Sequence, residues 1–318
     1  MINCSLSHGG YVMKDFLTLL DFSGDYLKKL LEDALKLKQE RNSGIKHDHY
    51  LAGKSIAMIF EKSSTRTRVS FEVGIHELGG HPMFLSTNDI QLGRGESIKD
   101  TARVLSRYVH GIMIRTFGQK RIVELAKHAS IPVINGLSNE YHPCQIMADI
   151  LTCYETFGNL DLNVAYIGDG NNIAHSWLNG AARLGFNVSI ASPKGYEPDK
   201  SIVAKAQEAA KQSGAKITIT NDPKEAAKGA NVVTTDVWAS MGQEQEAQER
   251  MKAFAGIYQV NDEIMSLASS DAIFLHCLPA HLGEEVTESV FESPASKVFD
   301  EAENRLHVQK AIMMNLIK

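Results

Sequence analysis

Short apolar runs alternate with amphipathic helical stretches along almost the whole chain, and the alternation pauses once and then restarts. "KSIAMIF" (54–60), "HPMFLS" (81–86), "GIMIRT" (111–116) and "IPVING" (131–136) read as strands, with helical patterns between them. Strands that alternate with helices predict a mostly parallel sheet covered by helices. After the helix-like "PCQIMADILTCYETFG" (143–158), five more runs follow: "NVAYIGDG", "NVSIAS", "KITIT", "NVVTTDVW" and "AIFLHCLP". At 318 residues the chain is long for one core and comfortable for two. The expectation is an α/β protein of two doubly wound parallel-sheet domains, 1–142 and 143–302, joined by an interdomain helix. Ser23 is placed to cap a first helix with Leu27, Leu30, Leu31 and Ala34 on one face, and Gly44 to end it. Residues 239–262 are too polar and irregular for the scheme and read as a long loop. "ENRLHVQKAIMMNLIK" (303–318) reads as an amphipathic helix.

Composition excludes several classes of function. The net charge is −5, and no lysine/arginine stripe dominates any region, which argues against a nucleic-acid partner. No apolar run approaches a membrane span, and the first residues lack the pattern of a signal peptide. Cys4, Cys144, Cys153 and Cys277 are scattered without zinc-type spacing, as expected of reduced thiols in a cytoplasmic protein.

Within this frame "EKSSTRTRVSF" (61–71) stands out, because an acidic chain concentrates hydroxyls and guanidinium groups there. It follows a strand and opens a helix, so it sits at the carboxyl edge of a parallel sheet and at a helix N-terminus. Ligands bind at such edges, and the unpaired N–H groups favour anions. Ser64, Thr65 and Thr67 add hydroxyl donors and Arg66 a bidentate grip for phosphate. A capping hydroxyl explains one of these residues but not their density. No G-x-x-x-x-G-K-[ST] loop is present.

The other strand ends carry weaker signals. "IGDGNNIAHSW" (167–177) imitates a dinucleotide fingerprint, but Ile173 stands at the third glycine position and the next strand ends without a ribose-binding acid. Its asparagines suit either turn and cap roles or the carboxylate and ammonium of an amino acid. In "YHPCQ" (141–145), His142 can polarise a carbonyl oxygen or simply cap the next helix. Cys277 in "FLHCLPAH" (274–281) is either a small core residue or a reactive group at a sheet edge. His276 and His281 lie near it, but no second ligand pair with zinc spacing exists, so no metal is expected. Asp236 in "DVWASMGQE" (236–244) is either a turn-starting residue or a partner for a cationic substrate group.

Taken together, "STRTR", "HPCQ" and "HCLP" resemble the aspartate/ornithine carbamoyltransferase family in order and spacing, over nearly the whole chain. D-x-x-x-S-M-G, Asp236 to Gly242 here, marks the members of that family that act on ornithine. The resemblance implies that Ser64, Thr65, Arg66 and Thr67 bind the phosphate of carbamoyl phosphate, with Arg115 and Arg305 adding charge. Thr67, Arg115, His142 and Gln145 would orient and polarise the carbamoyl group. Asn172, Asp236, Ser240 and Met241 would hold ornithine's α-amino and α-carboxylate groups, while Cys277 and the Leu278 carbonyl face its δ-amine. It further implies a homotrimer in which Gln91 reaches the neighbour's phosphate, a C-terminal helix (about 303–318) returning to the first domain, and no cofactor. The rivals are a carbamoyltransferase for putrescine or acetylornithine, against which the intact S-M-G argues, and a non-catalytic anion-binding homologue. Arg66, His142 and Cys277 are all present, which argues against the latter.

Overall fold

A computed structural model of the chain describes residues 14–86, 90, 95–239 and 246–318. Two parallel sheets form the frame. The first has the order β2-β1-β3-β4 and the second β7-β6-β5-β8-β9, and every named pairing in both is parallel. β1 (Ser55–Phe60), β2 (His81–Ser86), β3 (Gly111–Arg115) and β4 (Val133–Leu137) build the first. β5 (Asn163–Ile167), β6 (Asn187–Ala191), β7 (Ile217–Thr220), β8 (Val232–Thr235) and β9 (Ile273–His276) build the second.

In each sheet the winding reverses beside the first strand of that sheet. From β1 the chain goes to β2 on one side and then to β3 on the other. From β5 it goes to β6 and β7 on one side and then to β8 and β9 on the other. At such a reversal the flanking loops leave in opposite directions and open a crevice at the carboxyl ends of the strands. β1 and β3, and likewise β5 and β8, therefore mark two crevices.

The helices form for local reasons that are readable in the chain. α1 (Gly24–Asn42) is capped by Ser23, whose hydroxyl accepts from Tyr26 N, and it buries Leu27, Leu30, Leu31, Ala34 and Leu37. α2 (Thr65–Glu77) and α3 (Ile98–Tyr108) start at the caps Ser64 and Ser97, and α4 (Gln119–His128) follows β3. α5 (Pro143–Phe157) has proline in its first turn and ends at Gly158, whose φ of 72° suits glycine. It is buried on nearly every face from Pro143 to Cys153, because β4 and several helices pack around it.

α6 (Asn172–Leu184), α7 (Lys200–Ser213) and α8 (Pro223–Ala227) connect β5 to β8 in turn. α9 (Ala247–Phe254) departs from the loop expected over 239–262. Its sequence carries no long apolar stripe; it is held instead by tertiary contacts of Phe254 with Tyr196, Trp238 and Tyr258, and of Arg250 with Asp169. α10 (Asp262–Leu267) and α11 (Glu288–Phe291) flank β9.

α12 (Val298–Leu316) begins five residues before the expected helix and is largely buried instead of one-sided. It packs against α1, α2 and α5, so even Lys310 is fully buried, with its ammonium on Glu77 (2.6 Å) and His47 (2.9 Å). Among the described residues no helix is long and apolar enough to cross a membrane, and Cys144, Cys153 and Cys277 are free thiols.

Candidate active site

The two crevices face a common cavity of about 940 Å³. Ser64, Thr65, Arg66, Thr67, Arg115, His142 and Arg305 line it on one side. Asn172, Asp236, Cys277 and Leu278 line it on the other. Gln145 lies behind the wall, and Gln91, Ser240 and Met241 fall outside the described residues.

The first crevice is cationic. β1 delivers Ser64, whose hydroxyl accepts from Thr67 N (3.2 Å) and caps α2, so one hydroxyl of the cluster does serve as a cap. Thr67, 1% exposed, accepts from Arg115 Nη1 (3.2 Å) and Arg305 Nη2 (3.1 Å). Three guanidinium groups thus converge on one helix N-terminus, Arg66 from α2, Arg115 from the end of β3 and Arg305 from α12. Burial and the neighbouring Arg305 lower the Arg115 pKa to about 10, so it stays charged at neutral pH. Arg115 Nε and Arg305 Nε are buried without a partner among the described residues, at a cost of about 1–3 kcal/mol each unless a ligand or water satisfies them.

His142 starts α5, and its main-chain N–H donates to Ser176 Oγ (2.8 Å). Burial first, and then Arg305, Arg115 and Arg66, hold the imidazole pKa well below its ordinary range. The ring is therefore neutral, and its Nδ1 has no partner among the described residues. A neutral imidazole N–H polarises a carbonyl without adding charge.

The second crevice carries the opposite sign. Asn171 caps α6, accepting from Ile173 N (2.9 Å), and donates its amide to Asp236 Oδ2 (2.8 Å). Asp236 lies at the end of β8, where its Oδ1 accepts from Val237 N (2.8 Å) and from the Cys277 thiol (3.2 Å). Enclosure by protein and the Asp236 charge push the Cys277 pKa well above its ordinary range, so Cys277 is a hydrogen-bonding thiol and not a thiolate.

Asn172 donates its amide to Ser138 O (2.8 Å), and His175 bridges Glu140 O (3.0 Å) and Asp199 N (3.0 Å). These bonds, with Ser176 on His142, tie the α6 N-terminus to the segment leaving β4. Arg66 Nη2 donates to Leu278 O (2.5 Å) and links the two crevices directly. Leu278 has φ of 59°, a conformation that a leucine adopts at a cost and that here turns its carbonyl toward the first crevice.

Several residues that the motifs do not mark hold these groups. Glu285 is buried and accepts from His276 Nε2 (3.1 Å) and His281 N (2.6 Å), while His276 Nδ1 accepts from Leu278 N (2.9 Å). Arg250 pairs with Asp169 (2.9 Å) and donates to Trp238 O (3.0 Å). The only sequence signals for them are an acid two residues past "AHLG" and the aspartate inside "GDGN". Asp236, His276 and Cys277 place ligand atoms within 4.8 Å of one another, but both ring nitrogens of His276 and the thiol are already engaged, so a metal there would displace those bonds.

Fold and cavity define a two-sheet α/β protein that sets a cationic crevice opposite an acidic one. The carbamoyl-P binding domain of aspartate/ornithine carbamoyltransferases matches residues 14–155, and the Asp/Orn binding domain matches residues 160–316. The chain belongs to the aspartate/ornithine carbamoyltransferase family. It is 58% identical over 302 residues to an ornithine carbamoyltransferase of Wolinella succinogenes, covering 95% of this chain and 98% of that one. Solved structures agree. An ornithine carbamoyltransferase from Pyrococcus furiosus superposes with a TM-score of 0.92 at 50% identity, covering 96% and 97% of the two chains. An anabolic ornithine carbamoyltransferase from Campylobacter jejuni gives 0.90 at 47%, covering 96% and 99%.

Proposed function

We propose that the chain is an ornithine carbamoyltransferase that converts carbamoyl phosphate and L-ornithine into L-citrulline and phosphate. The observation that carries this reading is the apposition of two crevices of opposite charge in one cavity, with a neutral His142 beside three arginines and Asp236 beside a protonated Cys277. Phosphate sits at the N-terminus of α2 among Ser64, Thr65, Arg66, Thr67, Arg115 and Arg305. His142 and Arg115 donate to the carbamoyl oxygen. Asn172 and Asp236, with Ser240 and Met241, hold the α-groups of ornithine and leave its δ-amine at Cys277 and the Leu278 carbonyl.

A δ-amine, like lysine, has a reference pKa of about 10.4 and must lose its proton before it attacks. Its nitrogen then bonds to the carbamoyl carbon, and the charge that gathers on the carbamoyl oxygen is met by preorganised donors. The bond from carbon to the bridging phosphate oxygen breaks next. The nitrogen gives up its second proton and phosphate leaves.

The same reading makes residues 1–142 with the C-terminal helix the carbamoyl phosphate half and 143–302 the ornithine half. It makes the protein a cytoplasmic homotrimer in arginine biosynthesis, with Gln91 serving the neighbour's site. Val69, Val73, Met83 and Phe84, exposed on α2 and on the edge strand β2, support an apolar contact between copies. The test is citrulline formation from the purified protein, with putrescine and acetylornithine as competing acceptors. Turnover of either acceptor in preference to ornithine overturns the assignment.

A further inference from the structure

Behind the cavity wall lie Asp149 on α5 and Glu301 on α12, each 1% exposed and neither lining the cavity. Gln145 Nε2 donates to Asp149 Oδ1 (2.8 Å) and to Glu301 Oε1 (2.6 Å), and the two carboxyl groups are hydrogen-bonded to each other. The other end of the Gln145 amide, Oε1, accepts from Arg305 Nη1 (2.5 Å). Glu301 has a second oxygen, and Oε2 accepts from His276 N (2.9 Å), the residue before Cys277.

We propose that Asp149 and Glu301 form a buried carboxyl pair that positions both halves of the catalytic cavity. On one side the pair fixes Gln145 and, through it, Arg305; on the other it fixes the chain where it turns toward Cys277 and Leu278. The inference rests on the carbamoyltransferase reading above.

Hydrogen-bond chemistry explains why carboxyls are needed. A guanidinium group has no acceptor, so the Gln145 amide must present its oxygen to Arg305 and turn both N–H bonds away. Two carboxyl oxygens receive those bonds, and an inverted amide would set donor against donor on both sides. The charge also closes. Burial raises both carboxyls, Glu301 further because Asp149 lies beside it, and two adjacent buried carboxylates repel. One retained proton leaves the pair with a single negative charge, which balances Arg305. Neither acid lines the cavity or touches substrate, so both are positioning residues.

Three variants of the full chain test this with steady-state kinetics for each substrate. Glu301→Gln keeps the volume and an acceptor for His276 N but turns an amide N–H toward Gln145. We expect KM for carbamoyl phosphate to rise about tenfold, with kcat and the ornithine KM within about twofold of wild type. Glu301→Ala also frees His276 N, and kcat should fall about tenfold in addition. Asp149→Asn still accepts from Gln145 and donates to an ionised Glu301, so it should stay within about threefold of wild type.

Melting curves confirm folding, and Glu301→Gln carries the test if the alanine variant does not fold. A folded Glu301→Gln with wild-type KM for carbamoyl phosphate overturns the proposal, as does one whose parameters fall in equal proportion. A wild-type chain that forms no citrulline overturns the underlying assignment instead.

Discussion

The two crevices are the same construction carrying opposite charges. In each, a central strand runs into a turn, a polar side chain caps the next helix, and the strand across the reversal supplies a charged residue. Ser64 caps α2 and Asn171 caps α6. β3 ends in Arg115, and Asp236 follows β8. The next strand outward completes each set, with His142 after β4 and Cys277 after β9. Topology therefore decides where a ligand sits, and a few side chains at equivalent strand ends decide whether that ligand is an anion or a cation.

The comparison breaks most sharply at the arginines. Arg66→Ala should lower kcat/KM for carbamoyl phosphate about a thousandfold, because a buried phosphate loses a charge-assisted partner. It should also weaken the tie between crevices, because Arg66 bonds to Leu278 O. A folded variant with near-normal kcat/KM contradicts the assignment.

Asp236→Asn should raise the apparent Kd of an unreactive ornithine analogue about a hundredfold and change that of carbamoyl phosphate by less than about threefold. Calorimetry with carbamoyl phosphate alone, then with the analogue on the loaded protein, separates the two. Equal losses would mean that Asp236 supports both crevices alike.

Cys277→Ser keeps a donor to Asp236, so only about a tenfold loss in kcat is expected, read from initial rates. An unchanged kcat returns Cys277 to a packing role.

The pH profile sharpens the contrast further. His142 has a lowered pKa, so it is already neutral through the usual imidazole range near 6.5 and protonates only well below it. Carbamoyl phosphate binding should accordingly show no limb from His142 near that pH, and a limb there that disappears in His142→Asn would refute the neutral-imidazole role.

The caps give the smallest effects. Ser64→Ala and Asn171→Ala should each cost about 1 kcal/mol, measured in denaturant. Of the two, only Asn171→Ala should also raise the ornithine KM, because Asn171 donates to Asp236 and Ser64 does not.

The strands, the Ser23 cap and the α2 end of the first crevice were legible in the sequence because their signals are local, whereas Arg115 and Arg305 entered only through the family resemblance. Ser64, Arg66 and Thr67 fall within one helical turn, and apolar runs mark β1 and β5 without help from distant residues. The residues behind the cavity wall were not legible for the opposite reason. Asp149 reads as an incidental acid in "IMADIL" and Glu301 as a first-turn acid in "FDEAENR", and only their meeting at Gln145 makes either notable. α9 escaped for the same reason, since Phe254 and Arg250 find their partners on other elements. Asn171 was overshadowed by its neighbour Asn172, because a cap and a ligand look alike in an asparagine pair.

Thr67 and Arg305 are 238 residues apart in the chain and bonded in the fold. At the pace of ribosomal synthesis, on the order of tens of seconds separate the appearance of the two. Throughout that interval the cationic crevice lacks one of its three arginines and Gln145 lacks its Arg305 partner. Docking of α12 is thus the event that completes the cationic crevice.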